Sequence, residues 1–175
     1  MDKIKKSRAR IFMIRTAASD VKTRIEDKLK NSDKIELATI PANKYTEDFI
    51  GLYKELSEIG NTVCKTLCIK NEYFDKDASY YIRILEDNRH ELYFASVNVD
   101  SKYNKNKFIL ENILSWLNRL TDIADKLLEL LDIRTEKKEL TVLFSKIDSY
   151  SNLSEEEKEE LKGEFILTLN RLNKH

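Results

Sequence analysis

Turn-forming residues are scarce in this chain. Its 175 residues include only three glycines and one proline: Gly51, Gly60, Gly163 and Pro41. β-Sandwiches and β-barrels need many tight turns, which draw on both residue types, and a phosphate-binding loop needs closely spaced glycines. Lysine, glutamate and leucine, which favour helices, are abundant. The sequence therefore predicts a mainly α protein, a helical bundle of about five or six helices.

Length and composition fit one helical domain spanning residues 1–175. Hydrophobic residues make up 41% of the chain and charged residues 35%, which suits helices with one apolar face and a charged outer face. A chain of this length needs no metal or disulfide to fold, and its two cysteines cannot form a disulfide framework. No apolar run is long enough to span a bilayer, and no secretory signal peptide is recognisable. We therefore expect a cytoplasmic location, no membrane span and no cofactor.

The first 30 residues combine helical periodicity with positive charge. Apolar residues recur at steps of about three, four or seven over residues 3–30, which predicts one long amphipathic helix that can project from the domain. The run of four apolar residues within residues 10–15 is also compatible with a buried strand, and we favour the helix. Residues 1–30 contain ten Lys or Arg and four Asp or Glu, a net charge of +6.

This basic segment is the best candidate for a binding surface. Dense positive charge attracts phosphates, and each neutralised phosphate adds salt-dependent affinity. An acidic protein partner or an anionic membrane surface would be attracted by the same charge. The alternative is a solubilising N-terminus, since no zinc finger or RNA-binding signature accompanies the charge. The candidate residues are Lys3, Lys5, Lys6, Arg8, Arg10 and Arg15.

Residues 104–132 contain the strongest helical pattern in the chain. Apolar residues step four and three alternately from Ile109 to Leu130, and a second stripe lies beside the first. Such a broad apolar face is typical of a helix at the centre of a bundle or shared between subunits. Trp116, the only tryptophan, is either a core residue, the simpler interpretation, or an interface anchor. The candidate interface residues are Ile113, Trp116, Leu120 and Leu127.

Two helix starts are marked by capping residues. Thr46, which precedes two acidic residues, is expected to cap a helix that runs to residue 67. Ser154 and Glu157 form the pattern of a capping box, in which each side chain bonds to the backbone N–H of the other residue. A final helix is therefore predicted after Ser154.

Residues 80–99 allow two interpretations. Aromatic and β-branched residues on both sides of a polar segment suit the strands of a small β-hairpin. A helix would need an apolar residue near position 88 or 89, where the sequence has Asn88 and Arg89. The polar segment contains no glycine, however, which weakens the hairpin. Hairpin and helix are nearly balanced, and we favour the hairpin slightly.

Arg83 and His90 are the one pair that resembles a catalytic motif. Six residues separate them, and this spacing resembles the Arg-x4–6-His motif of the helical ribonucleases of the HEPN group, in which both residues act at the phosphodiester. The resemblance implies a ribonuclease site within a helical bundle. It covers only these two positions, and Ile84 stands where such motifs often carry a polar residue, so we assign no family.

The sequence shows no metal-binding constellation. Cys64 and Cys68 share a helix face, but a zinc site would need two more ligands. The only histidines, His90 and His175, lie far apart in the sequence. The two cysteines are better interpreted as small buried hydrophobic residues, and we expect no metal.

Three functions from different classes fit these patterns. We favour a non-catalytic protein-interaction module or small subunit of a larger assembly, whose partner is another protein or a second copy of the chain. The second hypothesis is nucleic-acid binding by the basic N-terminal helix. The third is a HEPN-like ribonuclease that uses Arg83 and His90.

Overall fold

Helices account for the regular structure of the described chain. The computed structural model describes residues 3–87 and 99–174, and no strand occurs within these ranges. A 3-10 turn, Ile147–Ser149, lies between the last two helices. The helices in these ranges are α1 (Lys3–Asn31), α2 (Lys34–Thr39), α3 (Ala42–Leu67), α4 (Ala78–Asp87), α5 (Val99–Lys146) and α6 (Glu155–Leu172). The prediction of a mainly α bundle of five or six helices is confirmed, and none of the described helices is both long and apolar enough to cross a membrane.

The chain divides into two compact units, Met1–Leu128 and Glu129–His175. The first unit contains α1 to α4 and the part of α5 that ends at Leu128. The second unit contains the rest of α5, the 3-10 turn and α6.

Helix α1 buries one side in the first unit and packs against α3. Its buried residues are spaced three or four apart: Ile11, Ile14, Ala18, Val21 and Ile25. The long helix predicted over residues 3–30 is present, and the strand considered within residues 10–15 is not. The apolar run fits a helix because Ile11 and Ile14 are buried, while Phe12 and Met13 between them remain exposed.

A buried polar side chain from α5 holds the short helix α2. The side-chain amide nitrogen of Asn106 donates a hydrogen bond to the carbonyl oxygen of Leu37 at 2.8 Å. The same nitrogen also lies 3.3 Å from the carbonyl oxygen of Ala38 and 3.0 Å from that of Ile40. Carbonyl groups at the end of a helix lack the usual partners within the helix, so Asn106 supplements the backbone bonds that Leu37 and Ile40 accept at this end of α2.

Helix α3 begins at Ala42, directly after Pro41, and not at the position expected from its capping residue. Pro41 occupies the N-cap position, so Thr46 lies inside the helix and the predicted cap is wrong. The hydroxyl oxygen of Thr46 is buried, and it has no hydrogen-bond partner in the described part of the chain.

The two cysteines lie at the end of α3 in different environments. Cys64 is buried and Cys68 is exposed. Cys68 has a φ of 56°, the left-handed conformation common at helix ends. Because the chain leaves the helix at this residue, Cys68 does not share the buried face of Cys64, and the expected burial is correct for Cys64 only.

A helix, α4, includes the first part of the segment for which a hairpin was slightly favoured. The helix buries Tyr81, whose ring centroid lies 5.2 Å from that of Phe49 and 4.8 Å from that of Trp116. Packing of Tyr81 with these aromatic rings stabilises the helical conformation. The hairpin is therefore wrong for residues 80–87, and residues 88–98 lie outside the described chain.

The core of the first unit includes one face of α5. The apolar pattern predicted for residues 104–132 supplies this face, which packs inside the unit. Its fully or nearly fully buried side chains are Ile109, Leu110, Ile113, Leu117, Leu120, Ile123, Ala124 and Leu127.

The second unit has a smaller buried core. Among its described residues only Leu131 and Ile147 are buried, and α6 has no buried residue. The Ser154 hydroxyl accepts a hydrogen bond from the backbone N–H of Glu157 at 3.2 Å, and the Glu157 carboxylate accepts one from the backbone N–H of Ser154 at 2.8 Å. The predicted capping box at the start of α6 is confirmed.

Candidate interaction surfaces

Two adjacent large apolar side chains are exposed on α1. Phe12 is 54% exposed and Met13 is 69% exposed, although the other side of this helix is buried. A single exposed apolar residue is ordinary on a protein surface, whereas neighbouring ones mark a candidate contact with a partner.

Positive charge lies beside these two apolar residues. Residues 3–19 include six basic residues and no acidic residue. Lys5 precedes Phe12 by seven residues, and Lys6 precedes Met13 by the same distance, so each pair is two turns apart on one side of α1. Both lysines are exposed. We call this surface the basic face of α1, consisting of Lys5, Lys6, Ala9, Phe12 and Met13.

Two of the arginines predicted to bind an anionic partner form ion pairs within the first unit. A guanidinium nitrogen of Arg10 lies 3.0 Å from a carboxylate oxygen of Glu55 on α3. Arg15 pairs with Asp125 on α5, and this hydrogen bond raises the pKa of Arg15. The remaining predicted residues are exposed on the first turns of α1: Lys3, Lys5, Lys6 and Arg8.

The two lysines of α6 lie on its less exposed side and are paired with carboxylates. The side chains of Lys158 and Lys162 are only 11% and 23% exposed. The ammonium group of Lys162 lies 2.8 Å from Asp148 and 2.9 Å from Glu159, and that of Lys158 lies 2.7 Å from Glu155. The hydrogen bond between Lys162 and Asp148 raises the pKa of the lysine and lowers the pKa of the carboxylate. Both lysines of this helix are thus paired with nearby carboxylates.

The other side of α6 carries glutamates that precede one exposed leucine. Leu167 is 60% exposed and follows Glu160 by seven residues and Gly163 by four. A Cβ atom added at Gly163 would meet no atom within 4 Å, so this side of the helix is open. Three glutamates on it are exposed. We call this surface the acidic face of α6, consisting of Glu156, Glu160, Gly163, Glu164 and Leu167.

Phe12, Met13 and Leu167 are contact candidates that the sequence patterns did not identify. The position of each residue around its helix, relative to the buried stripe, is enough to identify all three. Phe12 and Met13 lie between members of the buried stripe of α1, and Leu167 lies off the stripe of Leu161 and Phe165 that faces inward on α6. An apolar residue outside the buried stripe of an amphipathic helix is a contact candidate.

The four residues predicted to form a protein interface lie in the first unit. Ile113, Leu120 and Leu127 are fully or almost fully buried, so they stabilise the fold and cannot contact a partner without unfolding. Trp116 is half-buried and packs against Tyr81. Periodicity could not separate core from interface here, because both require a continuous apolar stripe.

Arg83 lies exposed on α4, and His90 lies outside the described residues. Arg83 is near Asp77, whose pKa is lowered chiefly by a hydrogen bond from Ser79 and to a smaller extent by the arginine's charge. The pairing of Arg83 with His90 in a ribonuclease site stays a prediction.

The most perturbed titratable groups in the core of the first unit have structural roles. Burial raises the pKa of the Cys64 thiol, which lowers its reactivity. Burial also raises the pKa of the Tyr53 phenol, whose hydroxyl donates a hydrogen bond to the carbonyl oxygen of Lys76. Across residues 3–87 and 99–174, no group of three or more His, Cys, Asp or Glu side chains is arranged to hold a metal ion.

Comparison with known proteins gives no relative. No protein-family model matches the chain, and neither the curated proteins nor the solved structures show a significant similarity to it. Function is therefore inferred from the surfaces alone.

Proposed function

We propose that this protein is a non-catalytic interaction module whose basic face on α1 binds an acidic amphipathic helix of a protein partner. The observation that carries the proposal is the exposure of Phe12 and Met13 on the side of α1 that also carries Lys5 and Lys6, two turns earlier. An amphipathic helix with an acidic border would cover the two apolar side chains and place its carboxylates near the lysines.

A protein partner fits this surface better than a nucleic acid does. Binding to a phosphate backbone relies on an array of basic side chains, and two members of the predicted array, Arg10 and Arg15, are paired with carboxylates of the first unit. The exposed side chains of Phe12 and Met13 supply an apolar contact that phosphates do not need. Nucleic-acid binding remains the alternative outcome of the same experiment.

A fluorescence-anisotropy titration tests the proposal. The probe is a labelled synthetic helix with one leucine stripe bordered by glutamates, and the full chain is titrated at low and near-physiological salt. We expect binding that weakens with salt, and we expect the Phe12→Ala/Met13→Ala variant to bind roughly tenfold more weakly, since central apolar contacts dominate such interfaces.

Two controls make the result specific. Phe108→Ala removes another exposed aromatic side chain of the first unit, 38% exposed on α5, and should leave binding unchanged. A probe of the same composition in scrambled order should not bind. Equal binding by wild type and the Phe12→Ala/Met13→Ala variant would refute the proposal. Tight binding of random-sequence RNA without binding of the peptide would favour the nucleic-acid hypothesis.

A further inference from the structure

We propose that the acidic helix bound by the basic face of α1 is α6 of a second copy of this chain. This inference rests on the proposed function and identifies its partner. It follows from the two faces defined above, which are opposite in charge and each end in exposed apolar residues, Phe12 and Met13 on α1 and Leu167 on α6.

The spacing of the two faces matches. On α1, Lys5 precedes Phe12 by seven residues, and on α6, Glu160 precedes Leu167 by seven residues. Seven residues are two helical turns, about 10 Å along the axis. If the two helices pack in parallel, the apolar side chains meet when Lys5 lies beside Glu160.

Small residues on both faces allow a close approach in the same register. With Phe12 opposite Leu167, Ala9 lies opposite Glu164 and Gly163 lies opposite Arg8, so each small residue leaves room for the longer side chain across from it. Gly163 has no neighbouring atom within 4 Å of an added Cβ. The helix axes can therefore come close enough for the three apolar side chains to lose contact with water.

The distribution of lysines on α6 favours this pairing. Lys158 and Lys162 lie on the inward side and are paired with Glu155, Glu159 and Asp148. The outward side keeps Glu156, Glu160 and Glu164 without an intervening lysine. Between Glu156 and Leu167, a basic helix therefore meets only negative charge on this side, the condition for electrostatic attraction between partners, and Arg171 lies one turn beyond Leu167.

Contact between two different faces determines the type of assembly. Each copy offers one basic face and one acidic face, so the interface is head-to-tail, and further copies can add unless a ring closes. A contact of two single helix faces is smaller than the roughly 1,600 Å² of a standard interface. We therefore expect weak association that depends on protein concentration and decreases with salt.

Charge-reversal variants of the full chain test the inference. The first variant carries Lys5→Glu and Lys6→Glu, and the second carries Glu160→Lys and Glu164→Lys. All four side chains are exposed, so the fold should be retained, and far-UV circular dichroism verifies this. Sedimentation velocity at low salt and increasing concentration measures the average mass of each variant, of wild type and of an equimolar mixture of the variants.

The expected result has three parts. Wild type associates, and each variant alone associates at least about tenfold more weakly because like charges face each other. The mixture recovers association because the reversed α1 of the first variant meets the reversed α6 of the second, and the unreversed α6 of the first meets the unreversed α1 of the second. The control variant Lys54→Glu/Lys65→Glu, which reverses two exposed lysines on α3, should associate as wild type does.

Three outcomes would overturn the inference: a single-chain mass for wild type at every concentration, association of both variants as strong as that of wild type, or a mixture that does not recover. If a charge variant is unfolded, Leu167→Ser replaces it and should also weaken association. Binding of the acidic probe peptide is measured separately. If the chain binds the peptide but does not self-associate, the proposed function is supported and the inference that its partner is a second copy is refuted.

Discussion

At the scale of single residues, two glycines of the same helix have opposite roles. A Cβ atom added at Gly60 would lie 2.5 Å from the ring of Phe74 and 3.4 Å from the side chain of Leu127, whereas one added at Gly51 would meet nothing within 4 Å. Gly60→Ala should therefore destabilise the first unit by about 1–3 kcal/mol through overpacking. Gly51→Ala should stabilise it by about 0.5–1 kcal/mol through helix propensity.

Urea unfolding of the two glycine variants measures both effects. They share helix α3, and the substitution is the same, so the difference between them reports the contacts of position 60, of which that with Phe74 is the shortest. Equal changes in the free energy of unfolding would show that Phe74 does not restrict position 60.

The buried hydroxyl of Thr46 makes a second prediction at this scale. A buried polar atom without a hydrogen bond costs free energy, and Thr46→Val removes it with little change of shape. We expect the free energy of unfolding to rise by about 1 kcal/mol. Thr62→Val on the same helix is the control, because the Thr62 hydroxyl donates to the carbonyl oxygen of Glu58 at 3.0 Å. A loss of stability in Thr46→Val would indicate that the hydroxyl has a partner.

At the scale of secondary-structure elements, α2 depends on a side chain far away in the sequence. Asn106→Leu would remove the side-chain hydrogen bonds to the carbonyl groups at the end of α2, although the carbonyl oxygens of Leu37 and Ile40 would keep the bonds from the backbone N–H groups of Ile40 and Ala42. We expect a loss of about 2–3 kcal/mol and faster amide hydrogen exchange over residues 34–40. Asn112→Leu, which removes an exposed contact to the carbonyl oxygen of Phe108 within α5, should change exchange over α2 little. Unchanged exchange in Asn106→Leu would contradict this account.

Lowering the pH should reduce the stability of the second unit because two of its carboxylates become protonated. The hydrogen bond with Lys162 lowers the pKa of Asp148, and the backbone N–H of Ser154 lowers the pKa of Glu157. A pKa that is lower in the folded state contributes stability that is present above the unfolded-state pKa and is lost as the pH falls through the folded-state pKa. Thermal unfolding between neutral pH and about pH 3 should show this loss. The Glu157→Gln/Lys162→Met variant should show a shallower pH dependence, and an identical dependence would contradict the assignment.

The helices could be predicted from the sequence where one stripe of apolar residues is long or a capping pair is complete. Residues 3–30 and the Ser154–Glu157 capping box are examples. Prediction failed for two other features. Tyr81 lies in a helix because it packs with aromatic rings that are distant in the sequence, and Thr46 lies inside its helix because the helix begins earlier, after Pro41. The basic surface was predicted only for its charge, because the exposure of Phe12 depends on which side of α1 packs against α3, and the acidic face of α6 was not predicted.

At the scale of the whole molecule, the two units should differ in stability. The first unit has many buried apolar residues, whereas only Leu131 and Ile147 are buried in the described part of the second. Regions with few buried contacts open more readily. Hydrogen exchange should therefore be faster in peptides from α6 than in peptides from residues 109–127, and equal protection would contradict the prediction.

The ion pair between Arg15 and Asp125 has a consequence for synthesis of the chain on the ribosome. The two residues are 110 positions apart, whereas Arg10 and its partner Glu55 are only 45 apart. At translation rates of about 5–20 residues per second, α1 is made roughly 5–20 seconds before its partner on α5. The pair of α1 and α3 can form during that interval and serve as the template onto which α5 packs when it emerges.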